Sequence, residues 1–389
     1  MTKLFIVPIE SLPQRYSAIW AQHMPAGFAR HFSDVEVIEG TKVDQEIKVG
    51  SFLDMNSTII YKTSQLQAIA SLFERKLIPP GSWFFFADLE FWGMESVRLM
   101  SQLNGVPIKI AGFMHAASYT HEDAFAVAAP YQKHTEVGWI AACDWVFVGS
   151  TYHREAIIER RLKPAGVESL SSRILVTGNP LFEEQFASVK DRSPYIMGST
   201  MLQADRPMQV ILPNRFDYEK RPNLSLDFAY LAKRRHPDWE FIVTTSAKTL
   251  KSNQAWLTEY ARNLEADGII TIYEGLAKED YYAMLLNSRV MLSNSIEENF
   301  GYCIAEALIC GCNPLLPRGL SHSEFFPEEA RAKDFADSLH LFDSPDEILT
   351  KMEALMDDNF PMSYARGTRN FLDTCFSATN IMATTMYNS

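Results

Sequence analysis

The chain has 389 residues, longer than one hydrophobic core usually supports, so two domains are expected. Its 47% hydrophobic, 22% charged and 12% aromatic residues exclude a disordered chain and supply ample material for two cores. A net charge of −12 disfavours broad adhesion to nucleic acid or anionic lipid, although it leaves room for a local basic groove.

The chain enters a strand at once, KLFIVPI (3–9), and shows no signal-peptide layout. Strand-like runs follow at TIIYK (58–62), SWFFFAD (82–88), IKIAGFM (108–114), DWVFVGS (144–150) and RILVTG (173–178). Between them, TSQLQAIASLFERKL (63–77), ESVRLMSQLNG (95–105) and TYHREAIIERRL (151–162) have helical spacing. This alternation predicts a parallel sheet covered by helices. The polar stretch 182–207 reads as a connection, after which the pattern restarts: MQVILPN (208–214), EFIVTTS (240–246), IITIYEG (269–275), RVMLSNS (289–295), NPLLP (313–317) and LHLFD (339–343).

The fold class expected is therefore α/β: two doubly wound, Rossmann-like domains, 1–185 and 205–365, facing a central cleft. The helical segment 366–389 is expected to cross back to the first. Ligands of such sheets sit at the carboxyl ends of the strands, here in the cleft. The longest apolar runs, such as WFFFA (83–87), fall far short of the roughly 20 residues that a membrane span needs. The five cysteines show no paired metal spacing and lie mostly among apolar residues. A reducing, cytoplasmic setting follows.

Three patches carry candidate chemistry. In SIEENFGYCIAEALICGCNPLL (295–316) a polar turn leads into a helix, 302–310, that is apolar almost all round except for Glu306. Such a helix is usually buried, and a carboxylate buried alone costs several kcal/mol, so Glu306 needs donors. Sugar hydroxyls would serve, as would a paired Arg. The helix start beside Glu298 and Asn299 offers free N–H groups to a phosphate. In the loop 213–222, Arg215 and Lys220 could hold a diphosphate and stabilise its departing charge; a solvated loop is the plainer reading. His115 ends the strand 108–114, where it could bond a sugar hydroxyl or move a proton, or simply be structural. His121, Glu122 and Asp123 read as solvated loop residues.

In this order and spacing the three patches resemble the retaining glycosyltransferases of the GT-B fold, especially the large family numbered four. Glu298-Asn-Phe-Gly301-Tyr-Cys-Ile-Ala-Glu306-Ala is similar to its E-x-F-G-x-x-x-x-E-A motif, and Asn214-Arg215…Glu219-Lys220 to its G-R…E-K loop. The strand ending at His115 is similar to V-x-x-x-H, and Asp144-Trp-Val-Phe-Val-Gly-Ser150 to A-D-x-V-I-x-x-S.

The resemblance implies a set of roles. Glu306 would bind the ribose hydroxyls of a nucleotide-diphosphate sugar (UDP-, GDP- or ADP-sugar). Glu298 and His115 would contact the donor sugar, and Arg215 and Lys220 would hold the diphosphate. Asn299, Phe300, Gly301 and Tyr302 would receive the sugar or diphosphate through backbone amides. Glu10, Arg15 and Asp88 are the acceptor-side candidates. No permanently bound cofactor and no metal are expected, since cations and a helix start do that work. A sugar-nucleotide epimerase and a catalytically silent, nucleotide-binding partner subunit are the other readings.

Two departures stand out. The family's Gly-rich first loop is replaced by Pro8-Ile9-Glu10-Ser11-Leu12-Pro13-Gln14-Arg15-Tyr16, and Thr245-Ser246-Ala247 replaces a second Gly-rich turn. IESLPQRYSAIW is similar to the start of glycosyltransferase-like proteins encoded by bacteriophages, which implies host cytoplasm. The acceptor could then be a hydroxymethylated base in phage DNA; a glycan and a small molecule are the other candidates. Arg154, Arg160, Arg161 and Lys163, on or near one helix, could contact that DNA or form a solvated face.

Overall fold

The strand Lys3–Val7 (β1) alternates its side chains between two cores: Phe5 and Val7 on one face, Leu4 and Ile6 on the other. Ser82–Phe86 (β3) does the same, with Phe84 and Phe86 opposite Trp83 and Phe85. A strand buried on both faces reads as a continuous apolar run, which is why these were visible in the sequence. The computed structural model describes residues 2–13, 15–43, 55–120, 131–199, 201–326, 339–362 and 366–389. His121, Glu122 and Asp123 lie outside these.

The chain forms two compact units, Met1–Phe182 with Thr374–Ser389, and Glu183–Asp373. The first holds a six-stranded, all-parallel sheet in the order β2-β1-β3-β4-β5-β6. Its other strands are Asp34–Val37 (β2), Ile108–Met114 (β4), Trp145–Val148 (β5) and Ile174–Val176 (β6). Met382, Ala383 and Met386 of the helix Arg366–Asn388 enter one of this unit's two cores.

The second unit holds another parallel six-stranded sheet, β10-β9-β8-β11-β12-β13. These are Gln209–Leu212 (β8), Glu240–Thr244 (β9), Thr271–Tyr273 (β10), Val290–Leu292 (β11), Asn313–Pro317 (β12) and Leu341–Phe342 (β13). A small antiparallel pair, Met201–Leu202 (β7) with Pro361–Met362 (β14), lies apart from the main sheet.

One expected strand is a helix. TIIYK (58–62) belongs to the helix Met55–Glu74, and the true second strand is β2. Three β-branched residues in a row favour a strand locally. Tertiary packing decides otherwise: Thr58, Tyr61, Lys62, Gln65 and Ile69 are buried while Ile59 and Ile60 face water, the spacing of one helix face. β2 is four residues long, at a sheet edge, with no fully buried residue, so it carried little signal.

Among the described residues, no helix is long and apolar enough to cross a membrane.

Candidate active site

The strand order places the candidate residues. In the second unit β8 and β11 are neighbours, so the loops leaving their carboxyl ends, 213–221 and 293–301, lie side by side. They are joined directly: Ile296 N donates to Glu219 O at 2.9 Å, and Asn214 Nδ2 to Ser293 Oγ at 2.7 Å. Lys220 completes the join. Its Nζ reaches Glu298 Oε2 at 2.9 Å, Glu297 O at 3.0 Å and Ser295 Oγ at 3.1 Å. Arg215 turns back on its own loop, to Glu219 Oε1 at 2.7 Å and Asp217 Oδ2 at 3.2 Å, with 44% of its side chain exposed.

Gly301 makes the step from loop to helix. Its φ of +95° lies in the left-handed region, and a Cβ there would fall 2.7 Å from Ile304 Cδ1. The helix Tyr302–Ile309 follows, buried from Ile304 onward, and carries Glu306 inside it. The ring of Phe300 is buried against Tyr302, Phe325 and Phe371, so only its backbone is left for a ligand.

Each acid has a cationic partner within the protein, so a sugar is not the sole source of donors. Glu306 meets Lys278 Nζ at 2.5 Å and the Tyr282 hydroxyl at 3.2 Å, so its counter-ion is a Lys, not an Arg. Among the described residues, both contacts fall on Oε1 of Glu306 and the Lys220 contact falls on Oε2 of Glu298. One oxygen of each acid therefore keeps its lone pairs for a ligand. Burial opposes the charged form of Glu298, but Lys220, with help from His322 and Arg215, outweighs it and holds the carboxyl below its usual range.

Lys278, Tyr282 and His322 were missed in the sequence. Lys278 opens the helix Lys278–Asn287 and lies over the rings of Tyr281 and Tyr282, 4.9 and 5.2 Å from their centroids. That Lys-x-x-Tyr-Tyr spacing was the available clue. His322 sits in the short helical turn Leu320–Phe325, fully buried. Its neighbour Ser321 bonds the carbonyls of Glu298 and Phe300, each at 3.0 Å. Since a carbonyl only accepts, His322 Nδ1 must donate to Pro317 O at 3.1 Å, and Nε2 is left as a buried acceptor with no partner among the described residues. Burial pushes the pKa of His322 down to about 4.

In the first unit β1, β3 and β4 are adjacent, so Glu10, Asp88 and His115 follow neighbouring strands at one sheet edge. His115 Nε2 donates to Ala87 O at 2.8 Å, and its ring packs between Tyr16, Trp20 and Phe113. Burial lowers its pKa, which keeps it neutral. Asp88 forms a buried pair with Lys62 at 2.5 Å and accepts from Glu90 N at 3.1 Å; Lys62 also bonds Glu90 O. Glu10 is buried, and Arg15 precedes the helix Tyr16–Phe28 in extended conformation.

The basic run 154–163 is partly solvated, with Arg160 and Lys163 exposed, but its cations are engaged within the fold. Arg161 is buried against Glu136 and donates to Ser118 Oγ at 2.9 Å. Arg160 bonds Tyr119 O at 3.2 Å, Arg154 bonds Ile174 O at 3.1 Å, and Lys163 pairs with Glu159 at 2.5 Å. Arg161 ties the loop after His115 to the helix Gln132–Ala142.

Comparison with known proteins places this geometry in context. Residues 202–365 match the family described as glycosyl transferases group 1. A tRNA-queuosine alpha-mannosyltransferase of Drosophila melanogaster is 27% identical over 150 residues, 38% of this chain and 38% of that protein. The match thus spans well under half of that relative's length. Sucrose-phosphate synthase from Thermosynechococcus elongatus superposes with a TM-score of 0.66 at 14% identity, over 99% of this chain and 98% of that one. An E. coli trehalose-6-phosphate structure bound with UDP-2-fluoro glucose gives 0.62 at 11% identity, over 100% and 99%. The chain has the GT-B fold of these structures, and the family match over its second unit supports a glycosyltransferase.

Proposed function

We propose that the protein is a retaining glycosyltransferase that moves a sugar from a nucleotide-diphosphate sugar to a hydroxyl group on a modified nucleobase. The observation that carries the transfer reading is the pair of acids, Glu298 on Lys220 and Glu306 on Lys278, inside the segment that matches glycosyl transferases group 1. Each acid is held in place by a cation and keeps one oxygen for hydroxyl groups, Glu306 for the ribose and Glu298 for the donor sugar.

Lys220 and the half-exposed Arg215 stabilise the negative charge that develops on the departing diphosphate, together with the amides at the start of the helix Tyr302–Ile309. The bond from the anomeric carbon to the diphosphate oxygen breaks, and the acceptor oxygen bonds to that carbon on the same face. The acceptor's proton passes to the departing phosphate oxygen. No carboxylate pair flanking the bond is required, unlike in a glycosidase. His115, neutral and fixed by Ala87, lines the sugar's side; Glu10 and Asp88 belong to the acceptor.

Two independent hints support a nucleobase as acceptor: the phage-like opening IESLPQRYSAIW and the partial match to a tRNA-queuosine alpha-mannosyltransferase. The setting is the cytoplasm, host cytoplasm for a phage-encoded chain. The test is a thermal-shift screen with UDP-, GDP- and ADP-sugars, since a ligand of the folded state raises apparent stability. Mass spectrometry of DNA and tRNA carrying hydroxymethylated or hypermodified bases follows. A hexose or pentose added to the base is the expected product; an isomerised donor with no transfer would identify an epimerase, and binding without turnover a silent partner subunit.

A further inference from the structure

The second unit carries a face whose charge runs against that of the chain. Loops 215–221 and 245–256, which leave the neighbouring strands β8 and β9, are stitched into one surface. Tyr218 N donates to Asn253 Oδ1 and Asn253 N to Asp217 Oδ1, both at 3.1 Å, and Ser252 Oγ bonds Phe216 O. Arg215, Arg221, Lys248 and Lys251 are exposed on these loops. Tyr218 and Trp256 are 42% and 52% exposed among them. The two acids of these loops, Asp217 and Glu219, are buried and paired with Arg215. No carboxylate of either loop faces outward, in a chain of net charge −12.

We propose that this face binds single-stranded nucleic acid and presents it to the transfer site, an inference that rests on the nucleobase-acceptor reading above. Phosphates match the cations, and the exposed rings offer stacking planes to unpaired bases, the combination on which sequence-tolerant single-strand binding depends. Trp256 satisfies its polar edge by donating Nε1 to Gln254 Oε1 at 2.7 Å, which leaves the ring face as its available surface. Neither Lys248 nor Lys251 pairs with an acid among the described residues, unlike Arg154, Arg161 and Lys163 of the basic run 154–163. The acidic remainder of the chain repels a polyanion, so contact is confined to this patch. A base that is reacted on must also leave its stack, which favours a strand already unpaired.

The test is fluorescence anisotropy of the full chain with a short labelled single-stranded DNA and with unfractionated tRNA, across a salt series. Wild-type protein should bind both with steep salt dependence. Lys248→Glu with Lys251→Glu should weaken binding about tenfold or more and lower the log–log salt slope by about 1.4, two single-strand phosphate contacts. Trp256→Ala should weaken binding with little change in slope. Equal binding by wild type and the double variant would overturn the proposal, as would equal binding of polyglutamate, which has charge but no bases. Donor-sugar thermal shifts on the same proteins separate the two readings. A retained shift with no nucleic-acid binding removes only this surface, and no shift in wild type removes the transferase reading. A shift lost in the double variant assigns the face to the donor and also overturns the proposal.

Discussion

Lys278 Nζ stands 2.5 Å from Oε1 of Glu306, on the side from which the Tyr282 hydroxyl also donates at 3.2 Å. Glu306 is 3% exposed in a helix otherwise built of apolar residues, whereas a quarter of the Lys278 side chain reaches water. The pair fixes one carboxylate oxygen and leaves the other for a ligand. Removing the cation strands a buried charge, which is costlier than losing the pair as a whole. Lys278→Ala should destabilise the fold by about 3 kcal/mol, the low end for a broken buried pair because Lys278 is partly solvated. Glu306→Gln should cost less stability but lower donor affinity tenfold or more, a loss of about 1.4 kcal/mol. Urea titration and donor titration on the two variants check the split; a Lys278→Ala protein as stable as wild type would show that the pair does not hold the fold.

Lys220 and Arg215 should separate in the same assay. Lys220 joins two loops through three contacts and neutralises Glu298, whereas Arg215 is half exposed and pairs with Asp217 and Glu219 of its own loop. Lys220→Ala should reduce kcat/KM by tenfold or more, from a lost charged contact of about 1.5–3 kcal/mol, and should also lower Tm. Arg215→Ala should reduce kcat while leaving Tm within a degree or two of wild type. Lys220→Arg should not rescue, because a planar fork cannot reproduce three converging contacts of a point charge. Equal Tm losses in the two alanine variants would argue against this division.

Much of this was legible in sequence, for physical reasons that particular residues show. β1, β3 and β4 are apolar on both faces, so their runs announced parallel strands. The acid spacing of Glu298 and Glu306 marked the loop and helix that the structure places together with Lys220. What escaped notice was pairing between residues distant in the chain. Lys278 and Glu306 meet only because their two helices pack together, and Glu136 captures Arg161 only through the fold. Lys62 was read as part of a strand because Thr58, Ile59 and Ile60 precede it; its helix is set by burial of one face against the sheet, which local propensity does not encode.

Acid should expose the buried histidines. His322 and His153 are neutral inside the fold, their pKa values pushed by burial to about 4 and about 3; nearby His115 adds to the second. In the unfolded chain both titrate near 6.5, so between that value and the folded one the unfolded state binds more protons. Their contribution is therefore full above pH 6.5 and is lost as pH falls toward 4. Glu298 acts in the same direction at lower pH: its depressed pKa gives stability that is present above the ordinary carboxylate value and lost on acidification through the folded one. Between pH 7 and 4.5, His322 alone should account for about 2–3 kcal/mol of lost stability. His322→Gln should flatten the stability profile over that range, measured by denaturant unfolding at several pH values; an unchanged slope would mean that the ring is solvated. Because Nε2 is an acceptor beside the Glu298 loop with no partner among the described residues, the same variant should also alter donor KM.

The Lys62–Asp88 pair is the sharpest test of the first unit. Both side chains are almost wholly buried, 2.5 Å apart, and both also bond Glu90, Lys62 through its carbonyl and Asp88 through its N–H. The pair therefore holds residues 88–90 at the carboxyl end of β3, next to the carbonyl of Ala87 that orients His115. Lys62→Met and Asp88→Asn should each destabilise by about 3–5 kcal/mol, since each leaves one buried charge alone. Lys62→Met combined with Asp88→Leu should recover much of that loss, because no buried charge remains. Activity should not recover with stability. If Asp88 serves the acceptor, the double variant will fold yet turn over poorly, with the defect in acceptor KM and the donor-induced thermal shift intact. A double variant that is both stable and fully active would reduce Asp88 to a structural residue and leave the acceptor contacts to Glu10 and Arg15.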